Sequence, residues 1–357
     1  MKYIFILTLL LTSITFAEDF GETIRLAKEG QADAQRRLGL MYRDGQGVLQ
    51  SDQSALSWLI KAAEQNHVEA MNNLGHMYEF GNGVPKSYEE AFKWFLKAAE
   101  NGHINAQWVV AGRYARGKGV PENDKEAVKW FMRGAKNGDP QSQYDLGLMY
   151  VNGEGTKTDY QEAIKWFLKA AEQNFLMAQL DLARMYANGE GIPKNQQVAF
   201  KWYLKAALKG HAGSQYLVGF MYGKGIGIAK DENEALKWYL KAGLKEHAEA
   251  QYSLGTLFYL GTSVSKDYSL AVMWFISAAR QNNVDAQFAL GIMYFLGKGV
   301  PEDYVTSYLW FSLAKRYDHE EATKFLEHVK KMMTKQQIAE GQARATRCFE
   351  SNYKYCD

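Results

Sequence analysis

The sequence predicts an all-α fold: an α-solenoid superhelix of eight 36-residue antiparallel helix pairs, closed by N- and C-terminal caps. Three observations predict it. Eight of the nine tryptophans lie at Trp58, Trp94, Trp130, Trp166, Trp202, Trp238, Trp274 and Trp310, each 36 residues after the last, without insertion or deletion. A second marker, Leu-Gly-x-Met-Tyr, keeps the same frame at 38–42, 74–78, 146–150 and 290–294, with weaker forms at 218–222 and 254–258. A fixed period of this length marks a solenoid or a propeller. The spacing inside the unit decides between them, because Ala34, Leu38, Met41 and Tyr42 stand at i, i+4, i+7 and i+8, one face of a helix.

Residues 1–17 read as a signal peptide rather than as part of the fold. Lys2 gives a positive n-region, Tyr3 to Leu11 an apolar core, and Thr15-Phe16-Ala17 a small-residue cleavage pattern. The apolar stretch is too short for the roughly 20 residues that span a bilayer, so no integral span is expected. Residues 18–33 then align one period before the first second-helix, with Ala27 at the place of Ala63 and Glu22 where Trp58 would stand. A half-repeat with a polar outer face is the cap a solenoid needs.

Residues 34–319 hold the eight repeats. Helix A carries Ala34, Leu38, Gly39 and Tyr42; helix B carries Ala55, Trp58, Ala62 and Ala63. The small residues let the helices approach while Trp and Tyr fill the remaining volume. Helix A ends in Gly-x-Gly-Val/Ile, as at Gly81 to Val84, where glycine tolerates positive φ. Helix B opens on Ser87 with Glu90, Asp159 with Glu162, and Asp231 with Glu234, the spacing of a capping box. Residues 320–357 form the C-terminal cap: Ala322 and Leu326 keep the helix A frame, and Thr334 with Gln337 opens a final helix. Cys348 and Cys356, the two cysteines, lie in this cap and read as a disulfide in an exported protein, with a reactive or intermolecular thiol pair as the alternative.

Composition sets bounds. With 47% hydrophobic and 23% charged residues and five prolines, the chain is folded. The formal charge of +2, or +1 without Lys2, is too small to draw the chain to nucleic acid.

The unit A-x-x-x-L-G-x-M-Y-x-x-G-x-G-V-x-x-(D/N)-x-x-x-A-x-x-W-x-x-x-A-A resembles the Sel-like repeats, relatives of tetratricopeptide repeats, over Ala34 to Lys315. The resemblance implies helix pairs whose concave face binds protein or peptide partners, with no enzyme activity. The signal pattern makes the expected destination periplasmic or secreted, and the resemblance adds that several exported members of the family act at the host interface, entering cells or redirecting vesicle traffic. The sequence departs from the pattern at Val110-Ala111-Gly112 and Gly261-Thr262-Ser263.

No catalytic residue, metal site or cofactor is expected. Five histidines, His67, His103, His211, His247 and His319, share one frame position just after helix B. Equivalent positions in neighbouring repeats are about 8–10 Å apart, too far to share a zinc ion. They read as loop residues near a helix C-terminus, where positive charge is welcome. Gly112 to Gly119 approaches a phosphate-binding loop but lacks its Ser/Thr and its preceding strand. Lys61, Lys97, Lys169, Lys205 and Lys241 read as a solvated stripe on helix B.

The binding surface is sought where a repeating frame varies. Two positions after the helix A alanine the series runs Arg36, Asn72, Trp108, Tyr144, Leu180, Tyr216, Tyr252, Phe288. Two residues is about 200° around a helix, and alignment with tetratricopeptide repeats implies that this position faces the groove. The expected partner-binding residues are Trp108, Tyr144, Tyr216, Phe220, Tyr252, Tyr259, Phe288 and Phe295. Packing of these rings between repeats is the competing reading. Binding of cell-wall material or its enzymes in the periplasm is the second functional reading. The partner's identity and the oligomeric state are not written in the sequence.

Overall fold

The computed structural model describes residues 20–356. The signal-peptide pattern at 1–17 lies outside them. The described residues contain helices and no strand. The chain divides into two compact units, Met1–Ala178 and Gln179–Asp357.

In the first unit α1 (20–28) precedes four helix pairs: α2 (Ala32–Asp44) with α3 (Asp52–Glu64), α4 (Val68–Phe80) with α5 (Tyr88–Glu100), α6 (Ile104–Arg116) with α7 (Asp124–Lys136), and α8 (Pro140–Asn152) with α9 (Tyr160–Glu172). The unit boundary falls within α10 (Leu176–Asn188). The second unit continues with α11 (Gln196–Leu208), then pairs α12 (Ala212–Lys224) with α13 (Glu232–Gly243), α14 (Ala248–Leu260) with α15 (Tyr268–Ala279), and α16 (Val284–Leu296) with α17 (Tyr304–Lys315). It ends in α18 (Glu320–Lys330) and α19 (Lys335–Glu350), both packed on α17.

Each marker residue has a packing reason. A Cβ added to Gly75 would come within 2.6 Å of the Phe95 ring, and Gly147 meets Phe167, Gly255 meets Phe275 and Gly291 meets Phe311 in the same way. The glycine after Leu is therefore the seat of the helix B ring that follows Trp. At the departure in α6 the residue is Ala111, fully buried, in a repeat whose helix B also carries Phe131 after Trp130. The second glycine of Gly-x-Gly meets the start of the preceding helix B: a Cβ on Gly119 would stand 2.0 Å from the Tyr88 carbonyl oxygen. At the other departure Ser263 takes the same left-handed backbone, φ 63°, and its hydroxyl bonds Glu232 at 3.0 Å.

Helix B is capped differently from expectation. Ser87, Asn123, Asp159, Asn195, Asp231, Asp267 and Asp303 accept from first-turn backbone N–H groups. The reciprocal half of the box is absent at Ser87, because its backbone N–H donates instead to the Tyr78 carbonyl at 2.9 Å. Glu90, Glu162 and Glu234, so released, pair with Lys93, Lys165 and Lys237 one turn on. The complete capping box occurs at Thr334 and Gln337.

A second periodic element went unread in the sequence. Gln35, Gln107, Gln143, Gln215, Gln251 and Gln287 are buried, and each side-chain amide donates to a carbonyl eight residues back, such as Ala99 for Gln107 at 3.3 Å. Several also accept from the end of helix B in their own repeat, as Gln143 does from Gln173 at 2.9 Å. A buried amide N–H needs an acceptor, so through this donor end the glutamines stitch each helix B to the next pair, while the Oε1 atoms of Gln215 and Gln287 have no partner among the described residues. Their 36-residue recurrence was the available signal.

Candidate partner-binding cleft

The expected groove residues distribute over both units. In the first, the Trp108 indole N–H donates to Asp145 Oδ2 at 2.6 Å, and Tyr144 is buried against Phe167 and Phe175 at 5.5 and 5.3 Å. Burial lifts the Asp145 carboxyl above its ordinary range against the pull of the Trp108 bond.

The second unit brings five of the eight around two adjoining pockets. One, of about 420 Å³, is lined by Tyr216, Phe220 and Tyr252 with Tyr239 beneath; the other, of about 280 Å³, by Tyr252, Tyr259 and Phe288 with Phe275 beneath. They share Tyr252, Thr256 and Asp285. Phe295 lies outside both, against Tyr304 and Phe325.

Helix pairing positions these rings. Tyr216, Tyr252 and Phe288 are half-buried, each resting on the helix B ring of its own repeat: Tyr239 at 5.9 Å, Phe275 at 5.8 Å and Phe311 at 5.7 Å. Tyr216 and Phe288 also stack on the residue that opens the next helix A, His247 at 5.0 Å and His319 at 4.5 Å. Each ring thus packs along one face and is partly exposed. Burial raises the phenol pKa of Tyr216, Tyr239 and Tyr252, so all three stay protonated hydrogen-bond donors at neutral pH. The first pocket carries Glu232, Glu249 and Asp285 against Lys224, a net negative wall.

The other singled-out residues have structural places. The frame histidines are N-caps of helix A: Nδ1 of His67, His103, His211 and His319 accepts from the backbone N–H three residues on. The frame position therefore opens helix A as its N-cap, where the expectation placed it as a loop residue serving the end of helix B. In His67 and His103 the opposite nitrogen faces an acid of the preceding helix A, Asp33 at 2.9 Å and Glu69 at 3.2 Å. The lysine stripe is likewise more than solvated surface. Lys61, Lys97, Lys169, Lys205 and Lys241 lie 4.2, 4.3, 4.1, 4.0 and 3.9 Å above the Trp ring one turn before, and Arg133 does the same at Trp130. Gly112 to Arg116 is the end of α6 and Gly117 its left-handed C-cap. Among the described residues no group of three or more His, Cys, Asp or Glu could hold a metal ion, and no helix is long and apolar enough to cross a membrane. The sulfurs of Cys348 and Cys356 are bonded, with Cα atoms 4.5 Å apart.

These features define a class: a paired-helix repeat solenoid whose variable aromatic positions line a cleft. The Sel1 repeat model matches eight consecutive stretches, 32–67, 68–103, 104–139, 140–175, 176–211, 212–247, 248–283 and 284–316. The chain belongs to the Sel1 repeat family, whose fold is typical of protein–protein interaction scaffolds. Among solved structures it is similar to a Sel1 repeat protein from Oxalobacter formigenes, with 30% identity over 87% of this chain and 89% of that one, TM-score 0.67. It is also similar to a protective antigen of uropathogenic Escherichia coli strains displaying an SLR fold, with 26% identity over 94% and 95% of the two chains, TM-score 0.58. No curated protein matches the chain.

Proposed function

We propose that the chain is an exported, non-enzymatic scaffold that holds an extended or helical segment of a protein partner in the cleft around Tyr252. The observation that carries this reading is the pair of pockets meeting at Tyr252, Thr256 and Asp285. Half-buried aromatics supply large contact area at small entropic cost, and their phenols add directional bonds. The acid wall of Glu232, Glu249 and Asp285 favours a segment that carries a basic residue beside its apolar ones. Export is supported by the signal pattern at 1–17 and by the Cys348–Cys356 bond, since such bonds persist in oxidising compartments. The likeness to a protective antigen supports a role at the host interface.

The test is affinity capture from periplasmic extract and host-cell lysate in parallel, with the native chain and a Tyr216→Ala plus Tyr252→Ala variant. The variant is expected to keep its helical circular dichroism and lose the captured protein. A variant that folds and captures the same protein equally well would overturn the reading.

A further inference from the structure

The departure in α6 builds a charged pocket that the repeat pattern does not require. Where other helices A bury Met41, Met77, Met149, Met185, Met221 and Met293, α6 places Arg113, 4% exposed. Its Nη2 lies 3.0 Å from Glu79 Oε2, and its Nη1 donates to the Lys118 carbonyl at 3.3 Å. Its buried Nε has no hydrogen-bond partner among the described residues. Lys118 Nζ reaches the other Glu79 oxygen at 2.6 Å. Leaving a donor of a buried guanidinium unpaired is costly; the Arg113 guanidinium lies 4.8 Å over the Phe95 ring, at a frame position that methionine fills in six other repeats.

The surroundings indicate what would satisfy it. A pocket of about 210 Å³ is lined by His76, Glu79, Trp108, Val109, Gly112, Arg113, Arg116 and Lys118. Three cations therefore face one carboxylate. Burial holds the His76 imidazole below its ordinary pKa, so it adds no charge at neutral pH. Burial also opposes ionisation of Glu79, but the Lys118 bond and the Arg113 charge outweigh it and keep the carboxylate charged. A single negative charge with a short apolar stem matches this set: the guanidinium groups offer directional N–H donors, and Trp108 and Val109 offer an apolar wall.

We propose that the pocket between α4 and α6 binds a carboxylate carried by a peptide, received by Arg113 and Arg116 beside Trp108. This site lies in residues 1–178 and does not rest on the reading of the Tyr252 cleft.

The full chain would be titrated with three peptides while the Trp108 indole N–H resonance is followed, its assignment fixed by Trp108→Phe. The peptides are acetyl-Ala-Leu-Glu-Ala-amide, its Gln analogue, and the Gln peptide with a free C-terminal carboxyl. One or both carboxylate peptides are expected to bind at least about tenfold more tightly than the neutral amide. Which of them does so distinguishes a side chain from a chain terminus. Arg113→Met, which restores the residue of six other repeats, and Arg116→Gln at the exposed mouth should each weaken that binding about tenfold. Equal binding of all three peptides, no shift at millimolar peptide, or undiminished affinity in a folded Arg113→Met chain would overturn the proposal. Should Arg113→Met fail to fold, Arg116→Gln decides in the same way.

Discussion

The backbone N–H of Ser87 donates to the carbonyl of Tyr78 at 2.9 Å, and the same bond joins Ser51 to Tyr42, Asn123 to Tyr114, Asp159 to Tyr150, Asn195 to Tyr186, Asp231 to Tyr222, Asp267 to Phe258 and Asp303 to Tyr294. Helix A ends with unpaired carbonyls and helix B begins with unpaired N–H groups. Here each satisfies the other across the Gly-x-Gly turn, which fixes the register of the pair.

At Gly119 the turn should resist a side chain at its second glycine, a position that Ser263 fills in the α14–α15 turn with its hydroxyl bonded to Glu232. Gly119 has φ 77° and a Cβ there would strike the Tyr88 carbonyl, whereas Gly102, φ 90°, has open space around it. Gly102→Ala is expected to cost about 1–2 kcal/mol from backbone conformation alone. Gly119→Ala should cost clearly more in urea unfolding; equal losses would show that the close approach carries no energy.

Replacement of His103 should reveal its capping role. His103→Ala is expected to lose about 1 kcal/mol. His103→Asn should be nearly neutral, because Asn283 caps α16 in the same way. Equal destabilisation by both would assign the loss to packing instead.

The cation above each tryptophan predicts a modest, local contribution. Lys205 lies 4.0 Å over Trp202, so Lys205→Gln should lower the unfolding free energy by about 0.5–1 kcal/mol. A urea midpoint that does not move would leave Lys205 a solvated residue after all.

Acid should weaken the region around α4. Burial, its largest cause, sets the His76 pKa below the ordinary value, with Arg113 adding to the effect and Glu79 opposing it. Below the unfolded value of about 6.5 the unfolded chain binds the proton more readily than the folded one. Stability is therefore lost as pH falls from there toward the lowered value and is fully present above it. His76→Gln should flatten the stability profile in that window. An unchanged slope would contradict the assignment.

Reduction should loosen the C-terminal cap. Cys348 and Cys356 are buried and close a loop of eight residues' separation around Tyr353. Cys348→Ser with Cys356→Ser is expected to cost about 2–3 kcal/mol. Hydrogen exchange in α19 measures it, and protection equal to that of the native chain would count against a fastening role.

What the sequence by itself determined is whatever repeats. The 36-residue period, the tryptophans and the Leu-Gly marker specify the helix pairs, because apolar periodicity and glycine stops are local properties of the chain. Their partners were not legible. That Gly75 seats Phe95, that His103 caps α6, that Lys205 covers Trp202 and that Gln143 bonds across repeats to the Ala135 carbonyl are contacts between segments, and only the packed structure chose them. The candidate surface divides in the same way. Variation at Tyr216, Tyr252 and Phe288 could be read from the frame, while their gathering with Tyr259 around one pair of pockets could not. Arg113 shows the limit most clearly: the sequence marks a lapse in the pattern, and the tertiary fold turns that lapse into a charged pocket by bringing Glu79 from the neighbouring repeat to within 3.0 Å.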